Sequence, residues 1–384
     1  MNLRLNTAEQ AFCSMVRAKL HLAVGSEVME RVRCGLSLEP QEIRASHLAL
    51  HALGWAVPHW PLEWGGAPLT EVQRLILQEE IERACLPPPV DANVSIVGPI
   101  LAAFGSQTQK ERFLKRMARL DDWWCAGLPK SPNSPAMRPV GFSATRGADG
   151  YRVSGRAAQV HFALYADWML VLVQTDHEHS PEAGTSLVLV DFKSAGVTVL
   201  PSSAGAGRSG YADVTMDNVK VPFENLVGAE HHGWRYSAFV LRHDRTHLAG
   251  TGAIKELLAR ARSQLKVRCI PSDTELWLWR LRIAELEAEL TALEILQFRV
   301  TAPHCLEFAV DAAMSMLRLK GAQLRRDVLH LLLELTGSNK ADATEGRSVN
   351  WRNAVVGQYI TLEGQLASGS PDHLNVIADS VLGQ

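Results

Sequence analysis

Two histidines, His243 and His247, lie four residues apart in a stretch that we expect to be helical, which is the spacing of a metal-binding pair. A helical zinc-protease site also has a glutamate beside the first histidine, and the segment has no such glutamate. By residue type alone, Asp244 is a solvated acid between Arg242 and Arg245. The six cysteines form no CxxC pair and no Cys/His zinc spacing. The sequence therefore predicts no metal site.

Composition excludes several classes of partner. The 384-residue chain has a formal net charge of -2, so no basic excess is available to hold nucleic acid. Residues 1–22 carry charges in every short window and lack the apolar core of a signal peptide. No segment approaches the roughly 18 apolar residues that can span a bilayer. We expect a cytoplasmic protein that binds neither nucleic acid nor a membrane.

Secondary-structure signals predict an α+β protein with three domains: an α-helical N-terminal domain at 1–120, an antiparallel β domain at 121–235 and a C-terminal four-helix-bundle domain at 236–384. Apolar residues recur with helical spacing in 71–85, and a second helical stretch is predicted at 96–120. Short β-rich runs at 168–173, 186–190 and 197–200 are separated by turn residues. The order of helices, strands and helices argues against an alternating parallel α/β fold.

The C-terminal third carries the signals of a helix bundle. Ser272 and Glu275 form a capping-box pattern at the start of one helix. Further helices are predicted at 312–320 and at 324–336, the latter closed by Gly337. In the helix that begins after Ser272, apolar residues alternate at spacings of four and three, which is typical of a bundle seam: Trp279, Ile283, Leu286, Leu290 and Leu293.

The segment Gly54–Gly66, GWAVPHWPLEWGG, resembles the signature between the first helices of acyl-CoA dehydrogenases. Further similar motifs follow in order, from Gly98-Pro99 to the C-terminal stretch Gly369–Gly383, so the resemblance covers the chain from about Leu50 onward. The run SMLRLKGAQ at Ser315–Gln323 is more particular. It is similar to the heteromeric bacterial acyl-CoA dehydrogenases of steroid side-chain degradation, which commonly pair two unlike subunits in a heterotetramer.

The resemblance implies an FAD-dependent α,β-dehydrogenation of an acyl-CoA thioester, with a steroid side-chain CoA as one candidate substrate. Such a reaction needs a carboxylate base to remove the α proton. One of the family's two base positions holds Ser368, which cannot serve. The other holds Asp244, followed by Arg245, so Asp244 is the candidate catalytic base and Arg245 the candidate substrate-binding residue. Asp372 lies past the matched position and is a weaker candidate.

The same resemblance assigns the cofactor-binding positions, and several of them depart from the family pattern. Pro129 replaces a hydroxyl residue and has no backbone N–H to donate, and Lys130 replaces an acid. Gln159 to His161 replace the Trp-Thr-Ser that packs against the flavin ring. FAD is therefore expected only in complex with a partner subunit. The candidate FAD-binding residues are Gly127, Leu128, Pro129, Gln159, Val160 and His161.

Three interpretations stay open. The chain is an active FAD-dependent subunit, a catalytically silent structural partner with a degenerate flavin site, or a repurposed flavoprotein such as a flavin monooxygenase. The implied partners are an acyl-CoA substrate, a second acyl-CoA dehydrogenase-like subunit or further copies of this chain, and an electron-transfer flavoprotein as electron acceptor. The basic run from Arg318 to Arg326 is either a solvated helix face or a contact for CoA phosphates.

Overall fold

The computed structural model describes residues 5–87, 89–128, 141–202, 210–243, 249–267, 272–301, 310–336, 355–359, 362 and 373–378. Contacts between Cα atoms divide the chain into two compact units. The helical unit combines residues 1–37, 69–87 and 245–384, and the sheet unit combines 38–68 and 88–244. The predicted domain limits at residues 120 and 235 follow changes of secondary structure along the chain and stay a prediction.

Along the chain, the sheet unit has helices both before and after its strands. Before the sheet come α3 (Pro40–Ala52), a π-helical turn at Ala92–Val97, α5 (Gly98–Phe104) and α6 (Gln107–Ala118), and after it comes α8 (Gly233–His243). The single helical stretch predicted for 96–120 is thus divided. The division falls at Ser106, whose hydroxyl accepts from the backbone N–H of Gln109 while the Gln109 side chain accepts from Ser106 N–H. This reciprocal capping box starts a new helix.

Eight strands form one sheet in the order β6-β7-β3-β2-β4-β5-β8, and β1 pairs with β4 outside this path. Most pairs are antiparallel, but β1 and β2 run parallel to β4, so the sheet is mixed and not wholly antiparallel as the sequence predicts. The one-turn helix α7 (Pro181–Gly184) joins β4 to β5. The strands are β1 (Trp124–Gly127), β2 (Phe142–Arg146), β3 (Tyr151–Val160), β4 (Trp168–Gln174), β5 (Thr185–Asp191), β6 (Val197–Pro201), β7 (Ala212–Val221) and β8 (Leu226–Val227).

Strands β4 and β5 are buried on both faces, which explains their unbroken apolar runs. Leu170 and Leu187 face a core that also contains Ile100 and Met117 of the helices. Their neighbours along the strands, Met169, Val171 and Val188, pack into a second core together with residues of the other strands. The strands predicted from β-rich runs are confirmed to within one residue at each end.

Two tryptophans of the Gly54–Gly66 segment, Trp60 and Trp64, pack into the same core as Ile100 and Met117. Trp55, Trp60 and Trp64 are all buried. The indole N–H of Trp60 donates to the carbonyl of Val94, 2.8 Å away, so the segment is tied to the π-helical turn. A buried indole needs such a partner, and the hydrogen bond fixes where this long connection crosses the helices.

The helical unit contains α1 (Thr7–Ala23), α2 (Ser26–Arg33), α4 (Glu71–Arg83), α9 (Thr251–Val267), α10 (Asp273–Thr301) and α11 (Val310–Thr336). The N-terminal capping bond of α10 is confirmed, since the Ser272 hydroxyl accepts from Glu275 N–H at 3.1 Å. The predicted seam is confirmed as well. Ile283, Leu290 and Leu293 are buried in the core that α9, α10 and α11 share, and the partly buried Trp279 and Leu286 pack against it.

The sequence predicts two helices where α11 is continuous, and that prediction is wrong. Gly321 does not interrupt the helix; it lets another backbone approach. A Cβ at Gly321 would overlap the carbonyl oxygen of Ala249. Gly337, the predicted helix end, lies outside the described residues. Among the helices that the structure describes, none is both long and apolar enough to cross a membrane.

Candidate functional site

The sheet unit holds every candidate flavin residue that the structure describes. Gly127 ends β1 and Leu128 follows it, while Gln159 and Val160 end β3 and His161 follows them. Three further candidates, Pro129, Asp244 and Arg245, lie outside the described residues, as do Ser368 and Asp372.

Buried polar groups hold the start of β1. The Asn93 side chain, which is fully buried in the π-helical turn, accepts from Trp124 N–H at 2.9 Å and donates to the carbonyl of Asp122 at 2.8 Å. The carboxylate of Asp167, directly before β4, accepts from Trp123 N–H at 2.9 Å. π-Helical turns frequently mark functional positions. Here the turn fixes the strand that leads to Gly127.

Gly127 has a packing role. A Cβ at this position would lie 2.5 Å from the terminal methyl of Met169, a buried residue of the paired strand β4. The side chain of Leu128 packs against the helical core of the unit. Both residues are therefore explained by packing, independently of any ligand.

The end of β3 turns sharply at Gln159, which has a positive φ of 54°. Its backbone N–H donates to the Asp213 carboxylate at 3.0 Å, and the same carboxylate accepts from Arg156 at 2.9 Å. The bond from Gln159 and the one from Arg156 lower the pKa of Asp213. Val160 is buried and pairs with Ala212 on β7. The donor group of this turn is thus already bound within the chain.

An aromatic cluster surrounds His161. The imidazole stacks on Phe162 and on Tyr211, with centroid distances of 3.9 and 4.6 Å. Trp123, directly before β1, meets Phe162 and Tyr165 edge-on at 5.6 and 5.9 Å. The cluster, Trp123, His161, Phe162, Tyr165 and Tyr211, therefore links the start of β1 to the end of β3, the two strands that carry the candidate residues.

His161 also has a charged neighbour. Its Nδ1 lies 3.3 Å from the carboxylate of Asp91, which accepts in addition from Ala92 N–H at 2.9 Å as the cap of the π-helical turn. The His161 ring is about one third exposed. Its Nδ1 and its ring face are thus both in contact with other residues of the chain.

A flavin ring needs hydrogen-bond donors for its polar edge and a flat surface for its face. At the described positions 159 to 161, the Gln159 N–H is bound to Asp213 and the His161 ring is bound to Asp91, Phe162 and Tyr211. These residues do not fit the role that the family pattern gives them. Among the described residues, no cluster of three or more His, Cys, Asp or Glu side chains could hold a metal ion either.

Three residues of this region were missed from the sequence: Asp91, Tyr211 and Asp213. Asp91 precedes a helical turn in a position where aspartate commonly caps, and this is the one signal that could have found it. Tyr211 and Asp213 come about 50 residues after His161, and only the β3–β7 pairing brings them together.

Comparison with known proteins finds similarity to one family. The sequence profile described as acyl-CoA dehydrogenase, N-terminal domain, matches residues 8–121. The acyl-CoA dehydrogenase IpdE1 of Mycobacterium tuberculosis is 25% identical over 89% of this chain and 88% of its own length. The acyl-CoA dehydrogenase FadE26 of the same organism is 27% identical over 74% of this chain and 73% of its own length.

The chain is thus similar to acyl-CoA dehydrogenases over most of its length, and residues 8–121 match the N-terminal domain of that family. The expectation drawn from the Gly54–Gly66 segment and the motifs after it is thereby confirmed. So is the predicted fold class, since helices, a β sheet and further helices follow one another in the order that the sequence indicated.

Solved structures share the acyl-CoA dehydrogenase fold over the whole chain. The Tcur3481-Tcur3483 steroid ACAD superposes with a TM-score of 0.84 at 22% identity, covering 100% of this chain and 99% of its own. The ChsE4-ChsE5 complex from Mycobacterium tuberculosis gives 0.82 at 21% identity, with the same coverage. PigA with FAD and proline gives 0.78 at 15% identity, covering 99% of each chain.

Proposed function

We propose that this chain is one subunit of an acyl-CoA dehydrogenase complex that carries out the FAD-dependent α,β-dehydrogenation of an acyl-CoA thioester. An unlike partner subunit supplies most of the flavin contacts. One observation carries the proposal: a chain with the complete family fold binds its own Gln159 N–H to Asp213, where the family pattern places a flavin contact. The proposed location is the cytoplasm, with an electron-transfer flavoprotein as electron acceptor.

The substrate that we propose is a steroid side-chain CoA. Support comes from the similarity of the Ser315–Gln323 run to steroid-degrading members of the family and from the likeness of the fold to the Tcur3481-Tcur3483 steroid ACAD. In this proposal the carboxylate of Asp244 takes the α proton, and the guanidinium of Arg245 donates hydrogen bonds to the CoA ester. An aspartate arm is one methylene shorter than a glutamate arm, so the substrate has to lie closer to the helix.

A second candidate function is a silent structural partner. In its favour, two groups at the candidate flavin-binding positions, the Gln159 N–H and the His161 Nδ1, already contact carboxylates of the same chain. A repurposed flavoprotein is the third candidate, since PigA has this fold and binds FAD in its solved structure. The third candidate requires the chain alone to hold flavin, so it makes an opposite prediction for the purified protein.

The visible absorption spectrum of the chain distinguishes these candidates. We expect no flavin absorbance when the chain is purified alone, and flavin together with acyl-CoA dehydrogenase activity after co-expression with an acyl-CoA dehydrogenase-like chain encoded beside it. Flavin bound to the lone chain and bleached by an acyl-CoA would overturn the need for a partner. An active complex that keeps full activity when Asp244 is changed would leave the structural partner as the function.

A further inference from the structure

The helical unit contains a cavity of about 300 Å³ between α1, α4, α9 and α10. The cavity is partly open to solvent, and its volume corresponds to about ten waters at their liquid volume of roughly 30 Å³ each. It reaches the lower limit of known small-molecule pockets. The apolar part of the lining consists of Leu5, Val72, Leu75, Ile76, Ile295 and Phe298.

The rest of the lining consists of the uncharged Cys13, Thr251, Thr291 and Gln297 and of three acids and one lysine. Lys255 of α9 donates to the carboxylate of Glu79 at 2.6 Å and also pairs with Glu294 of α10. Burial is the largest single influence and pulls the pKa of Lys255 down, but the two carboxylates together raise that pKa above its usual value. Lys255 is therefore an ammonium ion at neutral pH, held at the cavity wall between two acids.

A third acid of the lining is neutralised from outside the cavity. The Glu80 carboxylate is 3% exposed and accepts two hydrogen bonds from the Arg17 guanidinium, each 2.8 Å long. Burial alone would raise the pKa of Glu80, but Arg17 reverses this effect and the pKa is lowered. Glu80 also pairs with Arg83 at 3.4 Å, outside the lining. The other charged groups of the described lining are the ammonium of Lys255 and the carboxylates of Glu79 and Glu294, and these three together carry an excess of one negative charge.

We propose that this cavity binds a small apolar molecule whose polar head is a hydroxyl or an ammonium group. The tail packs against residues such as Leu75 and Phe298, and the head donates a hydrogen bond to Glu79 or Glu294. The excess negative charge disfavours carboxylates and phosphates, because Lys255, the cation of the described lining, is already paired with both Glu79 and Glu294, and an anion would lie beside these two carboxylates. The polyanionic acyl-CoA of the proposed function is disfavoured by the same charge, so the cavity is a separate site.

Three probes with the same tail and different heads test the proposal: 1-decanol, decylamine and decanoate. Binding to the purified full-length chain is measured by isothermal titration calorimetry at neutral pH. We expect 1-decanol and decylamine to bind, and decanoate to bind at least about tenfold more weakly, a difference of about 1.4 kcal/mol in binding free energy. Glu294→Gln removes the excess charge and is expected to reduce this preference against decanoate.

A bulky substitution tests the location of the tail. Ile295→Trp fills the apolar part of the cavity and is expected to abolish binding of 1-decanol. Ala288→Trp is the matched control, because Ala288 lies exposed on the same helix and outside the lining. Glu289→Gln, also exposed on α10, is the control for charge. Thermal unfolding followed by circular dichroism checks that each variant is folded.

Three results would each overturn the proposal. The first is that none of the probes binds the wild-type chain, and the second is that decanoate binds as tightly as 1-decanol. The third is that folded Ile295→Trp binds 1-decanol like the wild type. If Ile295→Trp does not fold, Val72→Phe replaces it as the test variant. Val72→Phe narrows the same cavity from α4, and unchanged binding of 1-decanol to it would overturn the proposal.

Discussion

The backbone N–H of Gln159 donates a hydrogen bond to the carboxylate of Asp213 over 3.0 Å. The two residues lie on neighbouring strands, and the bond holds Gln159 in its left-handed conformation at the end of β3. A flavin contact at this position would have to compete with a charged acceptor of the same chain. This hydrogen bond therefore supports the proposal that an unlike partner subunit supplies most of the flavin contacts.

The first prediction concerns this bond. Asp213→Ala removes the acceptor for both Gln159 and Arg156, so we expect a lower midpoint of urea unfolding. Asp213→Asn keeps an oxygen at the same position and is expected to lower the midpoint less. Equal midpoints for Asp213→Ala and the wild type would show that the turn does not depend on this carboxylate.

The second prediction concerns the proposed base. In an active complex, Asp244→Asn removes the group that accepts the α proton and should reduce kcat by about 10²- to 10⁴-fold, the usual contribution of general-base catalysis. Asp372→Asn is the control, because Asp372 lies past the family's base position, and its activity should stay close to that of the wild type. If Asp372→Asn loses activity and Asp244→Asn does not, the assignment of the base is reversed.

The third prediction concerns the close approach of two backbones in the helical unit. Gly321→Ala places a methyl group against the Ala249 carbonyl oxygen, so the backbone must move. We expect the free energy of unfolding to fall by about 1–3 kcal/mol, as for other overpacked sites. Gly357→Ala is the matched control: Gly357 is helical with open space around its Cα, and alanine is expected to stabilise by up to about 1 kcal/mol.

The fourth prediction concerns pH. His47 is 2% exposed, and its Nε2 donates to the carbonyl of Ala118 at 2.9 Å. Burial, which is the largest influence, lowers the pKa of His47 below its usual 6.5. Below pH 6.5 the unfolded chain therefore binds a proton that the folded chain does not bind, and stability falls as the pH falls. Above this pH the contribution of the neutral imidazole is fully present.

The unfolding free energy, measured by urea titration between about pH 8 and pH 5, tests this sign. His47 should contribute a slope of at most about 1.4 kcal/mol per pH unit, the value for one proton. His47→Asn is expected to be less stable at neutral pH and to have a flatter dependence on pH. An unchanged slope in His47→Asn would assign the pH dependence to other groups.

Local patterns predicted most of the fold. The strands β4, β5 and β6 follow from their apolar runs, because burial on one or both faces leaves a clear mark on the sequence. The seam of α10 follows from its spacing of four and three. Errors arose where a residue has a long-range reason: the sequence predicts a gap between helices at Gly321, whose real role depends on Ala249 of another segment.

The candidate site was less predictable, for the same physical reason. The family resemblance gave the positions of Gly127 and Gln159, and residue types indicated that some flavin contacts were lost. The partners that these positions contact, Asp213 for Gln159 and Tyr211 for His161, come from a part of the chain about 50 residues later. No spacing rule links residues across such a distance, so only the sheet register could reveal them.

The helical unit combines segments from both ends of the chain, whereas the segments of the sheet unit all lie between residues 38 and 244. This difference affects the order in which the two units can fold during synthesis. Helices α1 and α4 leave the ribosome early, and Glu80 can meet Arg17 at once. The lysine that pairs with Glu79 is residue 255, and the bundle core needs α11, which ends at residue 336. The sheet unit can therefore form first, while the earliest helices wait for the last third of the protein with their apolar faces uncovered. We expect slow translation or C-terminal truncation to expose these same helices to chaperones and proteases.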